Sequence, residues 1–324
     1  MYQFKKSFWG TILLVAAVQL CICPLASAQG NLNLSLSSFP PAAPLNPDSI
    51  PFGPGVNYAT GGDPLSVFCA DLDGDSDLDL AVAEHMGGYV SIFKNNGDGT
   101  FQPGVRYPAG MGTRSVFCAD LDGDSDLDLA VVYDGGDNVS ILENKGDGTF
   151  ETKVDYAAGS DPWSVFCADL DGDSDLDLAV ANAYSDDVSI LKNNGDGTFQ
   201  TKVDYAAGDE PQSIFCADLD GDSDLDLALV NWESDDVSIL KNNGDGTFQT
   251  KVDYAAGHWP YSVFCADLDG GSGLDLAVAN YGTDNVSILK NNGDGTFQPK
   301  VDYATGDGPV SVFCADLDGD SDLD

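Results

Sequence analysis

The segment FCADLDG recurs with its first aspartate at 71, 120, 169, 218, 267 and 316, a constant step of 49 residues. A second segment, GDGTF, keeps the same step, its phenylalanine falling at 101, 150, 199, 248 and 297, with Phe52 in that place at the front. A strict repeat of this kind means one supersecondary unit copied in series, each copy burying its apolar faces against the next. The units run 52–100, 101–149, 150–198, 199–247 and 248–296, followed by a partial unit 297–324.

Each unit reads as four short strands. In the third, Ser-Val-Phe-Cys-Ala (164–168) precedes an aspartate loop, Leu-Ala-Val-Ala (178–181) follows, and a polar loop leads to Val-Ser-Ile-Leu-Lys (188–192). Asn-Gly-Asp-Gly (194–197) is a hairpin turn whose glycines supply positive φ, and a fourth run spans 199–205. No stretch has helical periodicity. The expected fold is all-β, a β-propeller of four-stranded blades with 49-residue repeats; a linear β-solenoid is the alternative, although its repeats are usually shorter. Residues 52–324 amount to about 5.6 units.

The aspartate loop carries the chemistry. In CADLDGDSDLDLAV (69–82), Asp71, Asp73, Asp75, Asp77 and Asp79 occupy alternate positions 1, 3, 5, 7 and 9. Two carboxylates about 4 Å apart repel by roughly 4 kcal/mol at an effective dielectric near 20. The six loops hold 28 aspartates, far more than the basic residues available to balance them. A bound cation is the expected compensation, and oxygen ligands without histidine or thiolate select Ca2+. Positions 1, 3 and 5 turn inward around one centre, Gly74 relieves the bend, position 7 offers its carbonyl and Asp79 closes the shell. Magnesium, which demands a regular octahedron, suits the loop less, and a merely solvated acidic turn needs no such register. Glycine at position 4, serine at 6 and flanking strands distinguish it from an EF-hand.

DLDGDSDLDLAV together with NNGDGTF closely resembles the FG-GAP/VCBS repeats of integrin α propellers and many exported bacterial proteins, over residues 52–324. The resemblance implies a propeller, usually of seven blades, with Ca2+ in the loop between strands 1 and 2. It implies side-chain ligands Asp71, Asp73, Asp75 and Asp79, then Asp120, Asp122, Asp124 and Asp128, then Asp169, Asp171, Asp173 and Asp177. Asp218, Asp220, Asp222 and Asp226 follow, and finally Asp316, Asp318, Asp320 and Asp324. Asp77, Asp126, Asp175, Asp224 and Asp322 would contribute their carbonyls. The fifth loop departs from the pattern: it keeps Asp267, Asp269 and Asp275 but has Gly271 and Gly273 at positions 5 and 7, so a weak or empty site is expected there. Phe-Gly itself appears only at 52–53. Seven units of this length would need 343 residues, so the chain reads as part of a longer protein.

The N-terminus, with Lys5 and Lys6, an apolar run and Ala26-Ser27-Ala28, reads as a secretory signal peptide over 1–28, and the Pro/Ser/Asn-rich stretch 29–51 as a flexible leader. Removing the signal leaves 11 basic residues against 54 acidic ones, a formal charge of −43. Such a surface repels nucleic acid and anionic membranes, and no other segment is apolar enough to span a bilayer. The expected location is outside the cell or on its surface, or the periplasm of a bacterium.

The differences between repeats point to a second surface. Four antiparallel strands place the aspartate loop and the NGDG turn at one end of each blade, and the two variable loops at the other. His85, Arg114, Trp163, Trp232, His258, Trp259 and Tyr261 all lie in the variable loops. Aromatic and arginine side chains on projecting loops are what a recognition surface uses; drift in unselected loops is the competing explanation. The resemblance adds that integrin α propellers bind partners on the face opposite their calcium loops, so a protein or glycan ligand is expected here. Cys69, Cys118, Cys167, Cys216, Cys265 and Cys314 stand at one register and read as buried free thiols, because a rotational repeat gives all of them equivalent neighbours. No nucleophile–base pairing emerges, so no enzyme activity is expected. The functional expectation is a secreted calcium-binding recognition or adhesion module. The alternatives are the non-catalytic propeller of a polysaccharide-active enzyme or a structural spacer.

Overall fold

The computed structural model describes residues 56–317 and 322–324; the signal peptide, the leader, Asp318 and Asp320 lie outside them. The first sheet comprises β1 (Pro64–Ala70), β2 (Asp79–Glu84), β3 (Tyr89–Phe93) and β4 (Val105–Pro108), antiparallel in the order 1-2-3-4. Four further sheets repeat it, with first strands at Thr113–Ala119, Pro162–Ala168, Pro211–Ala217 and Pro260–Ala266. The described residues contain no helix. Each sheet straddles two sequence units, because its fourth strand is drawn from the start of the following one.

The strands follow from their composition. The second strands, such as Leu178-Ala179-Val180-Ala181, are buried on both faces because a sheet lies to either side. The fourth strands (Val-Asp-Tyr-Ala) alternate charge with bulk and are largely exposed, as an unpaired edge requires. That edge begins later than the sequence run: in the third sheet Phe199 makes only an isolated bridge with Asn193, and the strand proper is Val203–Ala206. Register pairs Phe166 with Ala179 and Ala179 with Ile190, so on this face the small alanine sits between two large residues.

The core lies between sheets. Val90 and Ile92 of one sheet pack with Val116 and Leu129 of the next, and the same arrangement recurs along the row. The first strands of successive sheets lie against one another, with a ladder of rings from Phe68–Phe117 (4.8 Å) to Phe264–Phe313 (5.0 Å). At the outer rim, Tyr107–Phe150, Tyr156–Phe199, Tyr205–Phe248 and Tyr254–Phe297 make edge-to-face pairs at 5.2 to 5.4 Å. Residues 309–316 continue the row against the fifth sheet through Val312 and Cys314. The sheets form an open, propeller-like row. None of the six cysteines from Cys69 to Cys314 forms a disulfide, and burial pushes the Cys314 thiol up to about 11.

Candidate metal centre and the opposite face

In the first loop, β1 ends at Ala70 and β2 opens at Asp79, and these two residues pair. Between them Asp71 folds the chain back on itself: its Oδ1 accepts the Gly74 N–H (2.9 Å) and its Oδ2 the Ser76 N–H (2.8 Å). Gly74 takes φ 74°, as the tight turn demands. Ser76 also takes a left-handed φ of 72°, as do Ser125, Ser174 and Ser223 at the same position. Asp79 is fully buried, its Oδ1 accepting the Asn95 N–H (2.7 Å) and its Oδ2 the Leu72 N–H (3.1 Å).

This folding brings positions 1, 3 and 9 together. Asp71, Asp73 and Asp79 offer carboxylate oxygens within 4.8 Å of one another, as do Asp120, Asp122 and Asp128, then Asp169, Asp171 and Asp177, then Asp218, Asp220 and Asp226. The fifth loop brings Asp267, Asp269 and Asp275 together too, but the first two are exposed where their counterparts are half-buried. Ser272 lacks the left-handed turn of its counterparts, and Asp267 receives the Gly271 N–H instead (3.0 Å). Position 5 (Asp75, Asp124, Asp173, Asp222) stands exposed outside the triads, and its Oδ1 accepts the N–H of position 7. In the sixth loop Asp324 repeats the anchor, its Oδ2 accepting the Leu317 N–H (3.1 Å), with Asp316 and Asp322 in the same segment.

Three features fit a cation. Burial pushes the Asp128 and Asp177 carboxyls up to about 7 and those of Asp79 and Asp226 up to about 6. The triads are threaded by backbone amides, and each of the first four lies in a loop with two further carboxylates. Asp73 Oδ1, Asp171 Oδ1 and Asp220 Oδ1 are buried with no hydrogen-bond partner, an arrangement that costs free energy unless a positive ligand completes it.

Two groups here carry no obvious signal in a single loop. Lys94, Lys192, Lys241 and Lys290 place their ammonium groups 3.3, 3.1, 3.0 and 3.0 Å from position 3 (Asp73, Asp171, Asp220 and Asp269). Their spacing of 21 residues from that aspartate repeats along the chain and was the available clue. Each offsets one charge of a five-aspartate loop, or of a three-aspartate loop in the fifth repeat, and the second loop has Glu143 in that place. The turn asparagine is the other: Asn193 donates from Nδ2 to Leu176 O (3.0 Å) and to Leu121 O (2.7 Å) of the preceding sheet's loop.

At the opposite ends of the strands, the seven residues singled out by sequence form one connected surface. His85 Nε2 lies 3.3 Å from Asp134 Oδ2, which also accepts from Arg114 Nη2 (3.1 Å). The Arg114 guanidinium sits 3.5 Å above the Trp163 ring. Trp232 stacks on Trp259 at 5.2 Å with 3° between planes, His258 stacks on Trp259 at 4.4 Å, and Tyr261 meets Trp232 edge-on at 5.7 Å. Arg114, Trp163, Trp232 and Tyr261 line a concavity of about 390 Å³. Asp161, Glu210 and Gln212 line it as well and were not singled out, because each reads locally as an ordinary polar loop residue. The loops are held from the preceding sheet: Asp137, Asp186 and Asp235 accept the backbone N–H of Asp161 (3.2 Å), Glu210 (3.0 Å) and Trp259 (2.9 Å).

Among solved structures, an Agrocybe aegerita lectin that recognises non-reducing terminal N-acetylglucosamine is similar at 25% identity and a TM-score of 0.54. That similarity covers 73% of this chain and 65% of the lectin, so the chain spans about two thirds of the lectin's length. A putative 6-phosphogluconolactonase from Bacteroides fragilis aligns at 19% identity and a TM-score of 0.59, over 78% of this chain and 72% of that one. Virginiamycin B lyase from Staphylococcus aureus aligns at 10% identity and a TM-score of 0.50, over 74% and 69%; the last two similarities concern the fold alone. No curated protein matches the sequence. The FG-GAP-like repeat matches residues 71–131, 120–180, 169–229, 218–270 and 273–324, end to end across the sheets and their aspartate loops, and the chain belongs to that repeat family.

Proposed function

We propose that this chain is a calcium-dependent recognition or adhesion module that works outside the cell. Ca2+ would be held in the aspartate loops, and a protein or glycan would be bound on the variable-loop face. The observation that carries the metal half is the recurrence of one carboxylate triad in five successive loops, with an unpaired buried oxygen in three of them. Positions 1, 3 and 9 would hold the ion, which supplies charge neutralisation rather than chemistry. The aspartates themselves orient the loop by capturing its backbone amides. The recognition half is supported by aromatic and arginine side chains gathered at one end of the sheets, and by the lectin's sugar recognition on a related fold. Trp232, His258 and Trp259 stand in loops, whereas Arg114, Trp163 and Tyr261 lie among the opening residues of first strands rather than in the loops the sequence suggested. Binding without turnover is the reading.

Calorimetric titration of the chelator-treated protein with CaCl2, with MgCl2 as the competing ion, tests the metal half. Saturable binding of several calcium ions, with a large rise in melting temperature, is expected. A protein that melts identically in calcium and in chelator, with no metal by elemental analysis, would refute it. For the recognition half, replacing Trp163, Trp232 and Trp259 together should abolish binding of any partner captured by the wild type, and unchanged binding would reject this face.

A further inference from the structure

Repeats that are near-copies need a reason for differing where they do. Arg114, Trp163, Gln212 and Tyr261 occupy one register, 49 residues apart, and all four line the concavity, whereas the aspartate loops and turns at the other end scarcely change. Asp161 and Glu210 share another register and line it too. Both hold left-handed backbone (φ 54° and 55°), as Trp259 (φ 53°) does at the same register, where the second sheet has Gly112.

Two buried polar atoms of residues that line this concavity have no partner among the described residues. Gln212 is 6% exposed and its Oε1 has no hydrogen-bond partner; Arg114 Nε is likewise buried and unpartnered. An occupant has to accept from Arg114 Nε–H, donate to Gln212 Oε1, and suit the carboxylates of Asp161 and Glu210 and the indole of Trp232. An anion meets two carboxylates on a strongly negative molecule. An ammonium group suits Gln212 and the carboxylates but leaves Arg114 Nε–H without an acceptor and faces the guanidinium charge. A purely apolar ring leaves both orphan atoms unpaired. A hydroxyl both donates and accepts, and a pyranose ring carries several of them around an apolar C–H face that an aromatic plate can cover. Ligand pockets of a few hundred Å³ are of the right order for such a ring.

We infer that the concavity spanning the second to fifth sheets, walled by Arg114, Trp163, Gln212, Trp232 and Tyr261, is a binding subsite for a neutral saccharide. This rests on the proposed recognition role and narrows its ligand to one class. The experiment is a screen of the full, calcium-loaded chain on a printed panel of neutral, amino and acidic saccharides, beside a panel of acidic, basic and neutral peptides. Bound members are then titrated by calorimetry. Saturable binding of neutral saccharides is expected. Gln212→Met should weaken it about tenfold, the worth of one hydrogen bond at a buried site, while leaving the melting temperature unchanged or higher, because it removes an unpaired buried acceptor. A merely structural glutamine would lower the melting temperature instead. Trp232→Ala should weaken binding at least as much. Binding only of charged saccharides, or neutral binding indifferent to both variants, would overturn the assignment. Peptide binding that Trp232→Ala abolishes, without saccharide binding, would overturn it and leave the recognition role standing; silence on both panels would remove both.

Discussion

Asp79, Asp128, Asp177 and Asp226, at position 9 of their loops, are buried, and this sets the sign of the protein's pH response. Burial raises Asp128 and Asp177 from an ordinary 3.8 to about 7. A raised carboxyl opposes folding once it must ionise. The calcium-free protein therefore loses stability as pH climbs from about 4 through 7 and is less stable above that window. With calcium present the ionised form is the ligand, and the trend reverses. Melting temperatures measured at pH 5 and pH 8 should fall with pH in chelator and rise with pH in calcium; parallel trends would show that these carboxylates do not meet the ion. The second loop offers a sharper comparison. Glu143 stands where the other four sheets have lysine, and burial raises Asp122, its neighbour in that loop. Glu143→Lys should raise the melting temperature in chelator by about 1–3 °C, since such a half-exposed pair is worth about 0.3–1 kcal/mol. The same change should weaken the tightest calcium-binding step, because the lysine then competes with the ion. Differential scanning calorimetry and calcium titration of the one variant check both.

At the scale of the element, the NNGDG turn does more than reverse the chain. Asn193 Nδ2 binds the carbonyl of its own loop and that of the preceding one, and its Oδ1 accepts the Gly195 N–H (3.0 Å). Asn144, Asn242 and Asn291 repeat the staple. Asn193→Ala leaves two carbonyls and an amide without partners in a buried place, a loss of about 2–4 kcal/mol. It should also weaken calcium binding in two adjacent loops, 120–128 and 169–177, whereas a turn residue with a purely local role would affect one at most. Calcium stoichiometry and affinity measured on the variant separate the two. The four-strand grammar was legible because apolar runs of four to six residues, broken by Asn-Gly and Asp-Gly, admit little else. The aspartate triads were legible because alternation along one loop is a local pattern. The staple was not, since its acceptor lies 72 residues upstream and no local pattern encodes it. Likewise the left-handed Ser76 and its equivalents look like any polar loop residue until the amide bonds to Asp71 are seen.

Over the whole molecule, the 49-residue step gave the row of sheets, and the divergent registers fall at the end of the sheets opposite the aspartate loops. Which divergent residues meet was not legible, because Arg114 and Tyr261 are three repeats apart in sequence and share one wall only after the first strands stack. The same stacking sets the global electrostatics. Every aspartate loop emerges from the same end of its sheet, so the loops' charges face solvent together along an open row, in a chain of formal charge −41. Repulsion between neighbouring loops acts through water and is screened within about 8 Å at 0.15 M salt and about 3 Å at 1 M. Bound calcium removes that repulsion at its source, whereas sodium chloride only shortens its reach. The melting temperature of the chelated protein should therefore climb by several degrees between low salt and 1 M sodium chloride, while that of the calcium-loaded protein changes far less. A thermal-melt series in the two states measures the difference directly. Equal salt dependence would mean that the loops are already neutralised by their lysines and hydrogen bonds, and that calcium is not what holds this end of the molecule together.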